Sequence, residues 1–262
     1  MRDKSTTRKR EEAEEEDDRP RSKTVKKVAK KPKESDDEIL RGFYTEEDDA
    51  DDAYARILVT GPPKVGKTVT LVTTSPPPVV VLNCDLEGAL SAARRFKGKF
   101  MAKDINSAKD WDNATRDVVK YAAKGQIRTC IVDTLTVLVG NTLAREMNRE
   151  YQGFEIWRQT QDCVMTGLNR LMRAECHLFV VAHITKDEAA GLLPDVPGSL
   201  QRLVPALLHD WVSLSYDAKR DPERAFLVGP QENWSRSGRH VKRSTVVEAD
   251  VEALLEELDI AI

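Results

Sequence analysis

The sequence predicts an α/β domain in which a mostly parallel, doubly wound sheet carries a phosphate-binding loop directly after its first strand. Three observations lead there. From residue 54 onward, short β-branched runs alternate with helix-forming stretches, the pattern of repeated βα units. Several of those runs are continuously apolar, as strands covered on both faces of a parallel sheet are. The first run, Ile57-Leu58-Val59, leads straight into Gly61-Pro62-Pro63-Lys64-Val65-Gly66-Lys67-Thr68, which has the G-x-x-x-x-G-K-[ST] spacing of a P-loop.

Residues 1–53 stand apart from this pattern. They are nearly devoid of large apolar residues and carry alternating charge blocks: acidic at 11–18, basic at 19–33, acidic again at 34–38 and 46–52. Such a segment cannot bury enough apolar surface to offset chain entropy. The expected organisation is therefore a disordered charged tail, 1–53, followed by one domain, 54–262. The basic block either touches a nucleic-acid backbone, serves as a targeting signal, or is simply solvated.

Within the domain, strands are expected at 57–60, 79–84, 128–133, 178–184, 211–216 and 225–228. Helices are expected at 65–74, 88–96, 107–124, 137–149, 155–175 and 248–258. Pro76, Pro77 and Pro78 end the first helix before the second strand. In 155–175, Trp157, Val164, Leu168, Leu171 and Met172 share one helical stripe and read as core-facing. Residues 185–205 hold Gly191, Pro194, Pro197 and Gly198 and read mostly as loop.

Bulk composition narrows the function classes. The 262 residues carry a formal net charge of −3, which does not advertise nucleic-acid binding. No apolar stretch approaches the ~20 residues that cross a bilayer, so no membrane partner is expected. No secretory signal is visible at the charged N-terminus, and the four cysteines show no C-x-x-C spacing. They read as reduced thiols, mostly buried, of a cytoplasmic protein. The four histidines are scattered, which argues against a structural zinc site.

The chemistry concentrates at the ends of the strands. Glycine at 61 and 66 permits the tight turn and close backbone approach that let several N–H groups converge on a phosphate. Gly61, Pro62, Pro63, Lys64, Val65, Gly66, Lys67 and Thr68 form the expected nucleotide-binding loop. Lys67 would reach the β- and γ-phosphates, and the Thr68 hydroxyl would hold Mg²⁺. Thr129-Cys130-Ile131-Val132-Asp133 is an apolar run ending in an acid, so Asp133 either supports Mg²⁺ through water or caps the following helix.

Threonine, not glutamate, follows Asp133, so the water-activating base must come from elsewhere. Asp85 and Glu87, spaced i, i+2 at the end of a neighbouring strand, point roughly the same way. Glu87 is the candidate for polarising water and Asp85 for support near the metal; the alternative is a turn with solvated acids. His183, ending another apolar strand, either contacts the γ-phosphate or merely caps that strand.

Four blocks in order, GPPKVGKT at 61–68, NCDLEG at 83–88, TCIVDTLT at 129–136 and VVAHITKDE at 180–188, give the chain a family likeness. It resembles the RecA-like P-loop ATPases, and among them the phage-type proteins of RecA fold that bind single-stranded DNA and promote annealing. The likeness spans about residues 54–216.

It implies ATP and Mg²⁺ as ligands, Glu87 as the catalytic carboxylate acting with Lys67, and His183 as the γ-phosphate sensor. It also implies that 185–205 is a mobile DNA-binding loop whose basic residues are Lys186 and Arg202. Arg239-His240-Val241-Lys242-Arg243 resembles the basic element through which such subunits reach a neighbour's nucleotide, with Lys242 and Arg243 acting in trans. The partners implied are single-stranded DNA, further copies in a ring or filament, and a single-strand DNA-binding protein. A phage origin would place the protein in the host cytoplasm. Two other readings fit part of the pattern: a helicase-type, helicase-loader or packaging ATPase of the same fold, and a non-enzymatic nucleic-acid scaffold acting through the basic tail.

Overall fold

The computed structural model describes residues 53–85, 100–187, 191–228, 239–240 and 244–261. The first five strands are β1 (Arg56–Thr60), β2 (Val79–Asn83), β3 (Phe100–Asp104), β4 (Thr129–Asp133) and β5 (His177–Ala182). A hairpin follows, β6 (Ile184–Asp187) and β7 (Gly191–Pro194), and then β8 (Asp210–Tyr216), β9 (Arg224–Val228) and β10 (Thr245–Glu248).

Eight of these make one sheet in the order β10-β9-β8-β1-β5-β4-β2-β3. The six strands from β8 to β3 run parallel, and β9 and β10 extend the β8 side as an antiparallel meander. The α/β class and the mostly parallel sheet are as expected from the alternating pattern. The register is level at the carboxyl edge: Thr60 lies opposite Ala182 and Ser213, and Asn83 opposite Asp104 and Asp133. That edge therefore gathers the last residue of several strands into one row, the place where open α/β sheets bind ligands.

Both faces of the sheet are covered at β1, β2, β4 and β5, which is why those strands read as mostly apolar runs. Ile57, Val59, Val81, Ile131, Phe179 and Val181 share one core with α1 (Lys67–Thr74) and α7 (Val251–Glu257). Leu58, Leu82, Cys130, Val132, Leu178 and Val180 share the other with α2 (Ala108–Ala122), α5 (Phe154–Leu171) and α6 (Leu200–Leu207). Helix caps come from the expected residue types: Ser107 accepts from the Asp110 N–H at 3.1 Å and Asp250 from the Ala253 N–H at 3.1 Å. Cys84, Cys130 and Cys176 are buried free thiols and Cys163 a half-buried one. No helix among the described residues is long and apolar enough to cross a membrane.

Several expectations need correction. Residues 185–205 are not mostly loop: Thr185 pairs with Leu193 in the β6–β7 hairpin, and α6 follows. Gly191 and Pro194 are the end residues of β7, where a missing proline N–H is tolerated on a two-stranded edge, and Pro197 and Gly198 lie in the turn before α6. Trp157 is not core: it is 46% exposed and its neighbour Phe154 is 81% exposed, whereas Val164, Leu168 and Leu171 are fully buried. Periodicity identifies a helix's buried face but not where the neighbouring layer stops, and the first turn of α5 overhangs it.

The strand expected at 178–184 ends at Ala182, and Ile184 opens the hairpin. The helix expected at 248–258 starts at Val251, because Thr245–Glu248 pairs with β9. The helix expected at 137–149 begins earlier, as α3 (Leu135–Val137), passes through a π-helical segment, Leu138–Leu143, and ends as α4 (Ala144–Met147). The helix expected at 88–96 lies outside the described residues.

Candidate active site

The loop after β1 is shaped by what surrounds it. Gly66 adopts φ 102°, ψ 17° as the N-cap of α1, a left-handed conformation that strains any residue with a Cβ. At Gly61 the constraint is space: a Cβ there would stand 2.5 Å from the Leu214 carbonyl oxygen of β8. Pro62, Pro63 and Lys64 are exposed on the loop, Val65 is buried beneath it, and Lys64 has φ 64°.

Lys67 opens α1 and is buried, with its ammonium donating to the carbonyls of Gly61 and Pro62, both at 2.8 Å. Burial pulls its pKa down to about 8, with Asp133 opposing the shift. The next residue reaches across the sheet: the Thr68 hydroxyl donates to Asp133 Oδ2 at 2.7 Å. Asp133 is almost fully buried, and desolvation lifts its carboxyl to about 6. The Thr68 hydrogen bond and Lys67 oppose that rise, while Asp85 adds to it.

The second oxygen of Asp133, Oδ1, is buried with no hydrogen-bond partner among the described residues. Beside it, at the end of β2, Asn83 donates to Asp104 Oδ1 at 2.7 Å and its own Oδ1 is also unpartnered. Leaving a buried acceptor unmade costs about 1–3 kcal/mol, more for a charged one. A hydrated divalent cation supplies donors and charge of the kind missing here. Mg²⁺ in particular keeps several waters and is held by one or two carboxylates plus substrate phosphates. Thr68 and Asp133 therefore fit Mg²⁺, with half-buried Asp85 close enough for its charge to act on Asp133.

His183, half-buried just past β5, donates its backbone N–H to Thr136 Oγ1 at 3.0 Å. Its imidazole pKa is lowered by burial and by Lys67, with Asp195 and Asp85 opposing. The ring thus lies in the field of the same lysine and aspartate that flank Asp133. Gly61 to Thr68, Asp133, Asp85 and His183 form one neighbourhood at the carboxyl edge. Lys186, on β6, and Arg202, on α6, are exposed. Glu87, Lys242 and Arg243 lie outside the described residues.

Sequence reasoning missed three participants. Thr136 sits three residues after Asp133, and only its tie to His183 marks it out. Asn83 was visible as a strand end but not as the neighbour of an unpartnered carboxylate. Arg224, on β9, places its Nε 3.5 Å from where a Cβ on Gly66 would be, and no local sequence signal connects residues so far apart.

A glycine-bearing loop at a helix N-terminus, a buried lysine and a hydroxyl–carboxylate pair are together suited to gripping a polyphosphate and its counter-cation. A family model described as an AAA domain matches residues 53–240. None of the curated proteins compared matches the chain.

Proposed function

The chain belongs to that AAA-domain family of P-loop ATPases, and from this premise we propose that it is a Mg²⁺-dependent ATPase that binds single-stranded DNA and promotes annealing or recombination. The observation that carries the nucleotide half of this reading is the Thr68–Asp133 pair with its unpartnered buried oxygen. The DNA half is supported by the order of the four sequence blocks. It is supported also by the path of the chain, which leads from His183 directly into a hairpin bearing exposed Lys186 and on to a helix bearing exposed Arg202.

In this reading the amides of 61–68 and the Lys67 ammonium bind the phosphates, and Thr68 and Asp133, with Asp85 nearby, hold hydrated Mg²⁺, which neutralises phosphate charge. Glu87 takes the proton of the attacking water as the bond to the leaving ADP oxygen breaks. His183 senses the γ-phosphate and passes its presence to the hairpin. Lys242 and Arg243 act on a neighbour's nucleotide in a homo-oligomer, ring or filament, in the cytoplasm, where a single-strand DNA-binding protein is a further partner.

The test is ATP hydrolysis with and without single-stranded DNA, in wild type and Lys67→Ala. Stimulation by DNA, abolished in Lys67→Ala, is expected, with DNA affinity that falls steeply as salt rises. Hydrolysis by Lys67→Ala at the wild-type rate would overturn the ATPase assignment. Absence of single-strand binding at low salt with ATP and Mg²⁺ would overturn the annealing role. The AAA match is equally compatible with a second reading, a helicase-type, helicase-loader or packaging ATPase of the same fold; directional unwinding by the purified chain alone would select it.

A further inference from the structure

The parallel strand β8 continues past the P-loop, turns, and returns as β9. Leu214 and Val212 of β8 and Phe226 and Val228 of β9 belong to the core shared with α1. Side chains two apart along a strand share a face. Tyr216 and Arg224 therefore occupy the next position of each column on that same face, and they sit opposite one another in the β8–β9 register. There the columns cease to be apolar and buried: Tyr216 is 54% exposed and Arg224 is exposed.

The place where this happens is the N-terminus of α1. Nε, Cζ and Cδ of Arg224 lie 3.5, 3.7 and 3.9 Å from where a Cβ on Gly66 would be. The Arg224 guanidinium carbon stands 5.8 Å from the Tyr216 ring centroid, an aromatic support for the cation. Asp217, Asp221 and Glu223 are exposed on the same turn, yet no ion pair to Arg224 occurs among the described residues. A guanidinium braced on a ring and held against the helix N-terminus of a P-loop is a ready partner for phosphate oxygens, which it can meet with two parallel N–H donors.

We propose that Arg224 is a phosphate-contacting residue of the nucleotide site, delivered by the β8–β9 hairpin of the same chain and braced by Tyr216. This rests on the reading of 61–68 as a nucleoside-triphosphate loop. It adds to the site a cation from within the chain, distinct from Lys242 and Arg243, and it makes the hairpin responsive to whether phosphates are bound.

The test is calorimetric affinity of the full chain for Mg-ATP and for Mg-tripolyphosphate, in wild type, Arg224→Ala, Arg224→Lys, Lys219→Ala and Lys67→Ala. Thermal unfolding checks that each variant folds. Arg224→Ala is expected to weaken both ligands about ten- to a hundred-fold. Arg224→Lys should recover part of the loss, since it keeps the charge but not the fork. Lys219→Ala, which removes an exposed cation from the same turn, should change neither.

Unchanged affinity in Arg224→Ala overturns the proposal. So does a loss confined to ATP with tripolyphosphate intact, which would make the pair a nucleobase or ribose platform. If wild type binds neither ligand, the nucleotide site itself is refuted and Arg224 goes with it. If wild type binds both and only Lys67→Ala loses them, the nucleotide site stands and Arg224 has no part in it.

Discussion

Thr68 and Asp133, 65 residues apart in sequence, meet side chain to side chain at 2.7 Å, joining the first turn of α1 to the end of β4. β1, which leads into the loop before α1, is not adjacent to β4, since β5 lies between them. The contact depends on the level carboxyl edge and on a loop that throws α1 back over the sheet. It commits one carboxylate oxygen to the hydroxyl and leaves the other, Oδ1, buried without a hydrogen-bond partner among the described residues.

Asp133→Asn keeps the shape of that side chain and removes its charge. Groups that orient a metal's shell typically contribute 10- to 100-fold in affinity or activity. Mg²⁺-dependent hydrolysis should therefore fall about 10- to 100-fold in Asp133→Asn, and comparably in Thr68→Val, in a titration of rate against Mg²⁺. Equal rates in wild type and Asp133→Asn at limiting Mg²⁺ would remove the metal role.

Glu87→Gln should bind ATP with an affinity close to that of wild type and lose most turnover, measured by calorimetry beside a steady-state hydrolysis assay. A loss of affinity as large as that of Lys67→Ala would give Glu87 a binding or folding role instead.

His177, 1% exposed at the start of β5, accepts the Ala55 N–H on Nδ1 at 3.2 Å, which requires that nitrogen to be unprotonated. Burial, with Arg128 and Arg56 nearby, lowers its pKa from 6.5 to about 4. The folded state thus takes up this proton less readily than the unfolded one. Its stability contribution is complete above pH 6.5 and is lost as pH falls from 6.5 toward 4, about 3 kcal/mol in all. Denaturant melts at pH 7.5 and pH 5 should differ by about 2 kcal/mol from this group alone. His177→Asn keeps an acceptor near the Nδ1 position and should flatten that dependence; an identical slope in the variant would assign the effect to other groups.

Gly167 on α5 packs against Trp111 of α2, whose indole N–H donates to the Cys163 carbonyl at 3.1 Å. A Cβ at 167 would meet Trp111 Nε1, Cε2 and Cζ2 at 2.2, 2.3 and 2.6 Å. Gly→Ala in a helix gains about 1 kcal/mol of propensity, but overpacking a rigid ring costs about 1–3 kcal/mol. Because Trp111 is fully buried, the clash should win. Gly167→Ala is expected to lower stability by about 1–2 kcal/mol in urea; a stabilised variant would show that the two helices can separate cheaply.

The parts legible in the sequence were those encoded by short-range pattern. The P-loop announced itself by spacing, and β1, β4 and β5 by apolar runs that only a doubly covered sheet requires. Asp133 was recognisable because it ends such a run. The strand β3 was missed because Phe100-Met101-Ala102-Lys103-Asp104 lies at the sheet's edge, with Met101 53% exposed, and carries no buried signature. The β6–β7 hairpin was missed because its Gly191 and Pro194 read as breakers rather than as strand ends. Arg224 over Gly66 and Thr136 beneath His183 were beyond any local pattern, since tertiary packing alone brings those pairs together.

The Leu214 carbonyl presses so close to Gly61 that no larger amino acid fits there, whatever the loop grips. A mutational tolerance scan will therefore find position 61 intolerant for steric reasons alone. Inactivity on substitution there would measure how tightly β8 is seated against the loop, so roles in phosphate contact have to be assigned from Lys67, Thr68 and Arg224 instead.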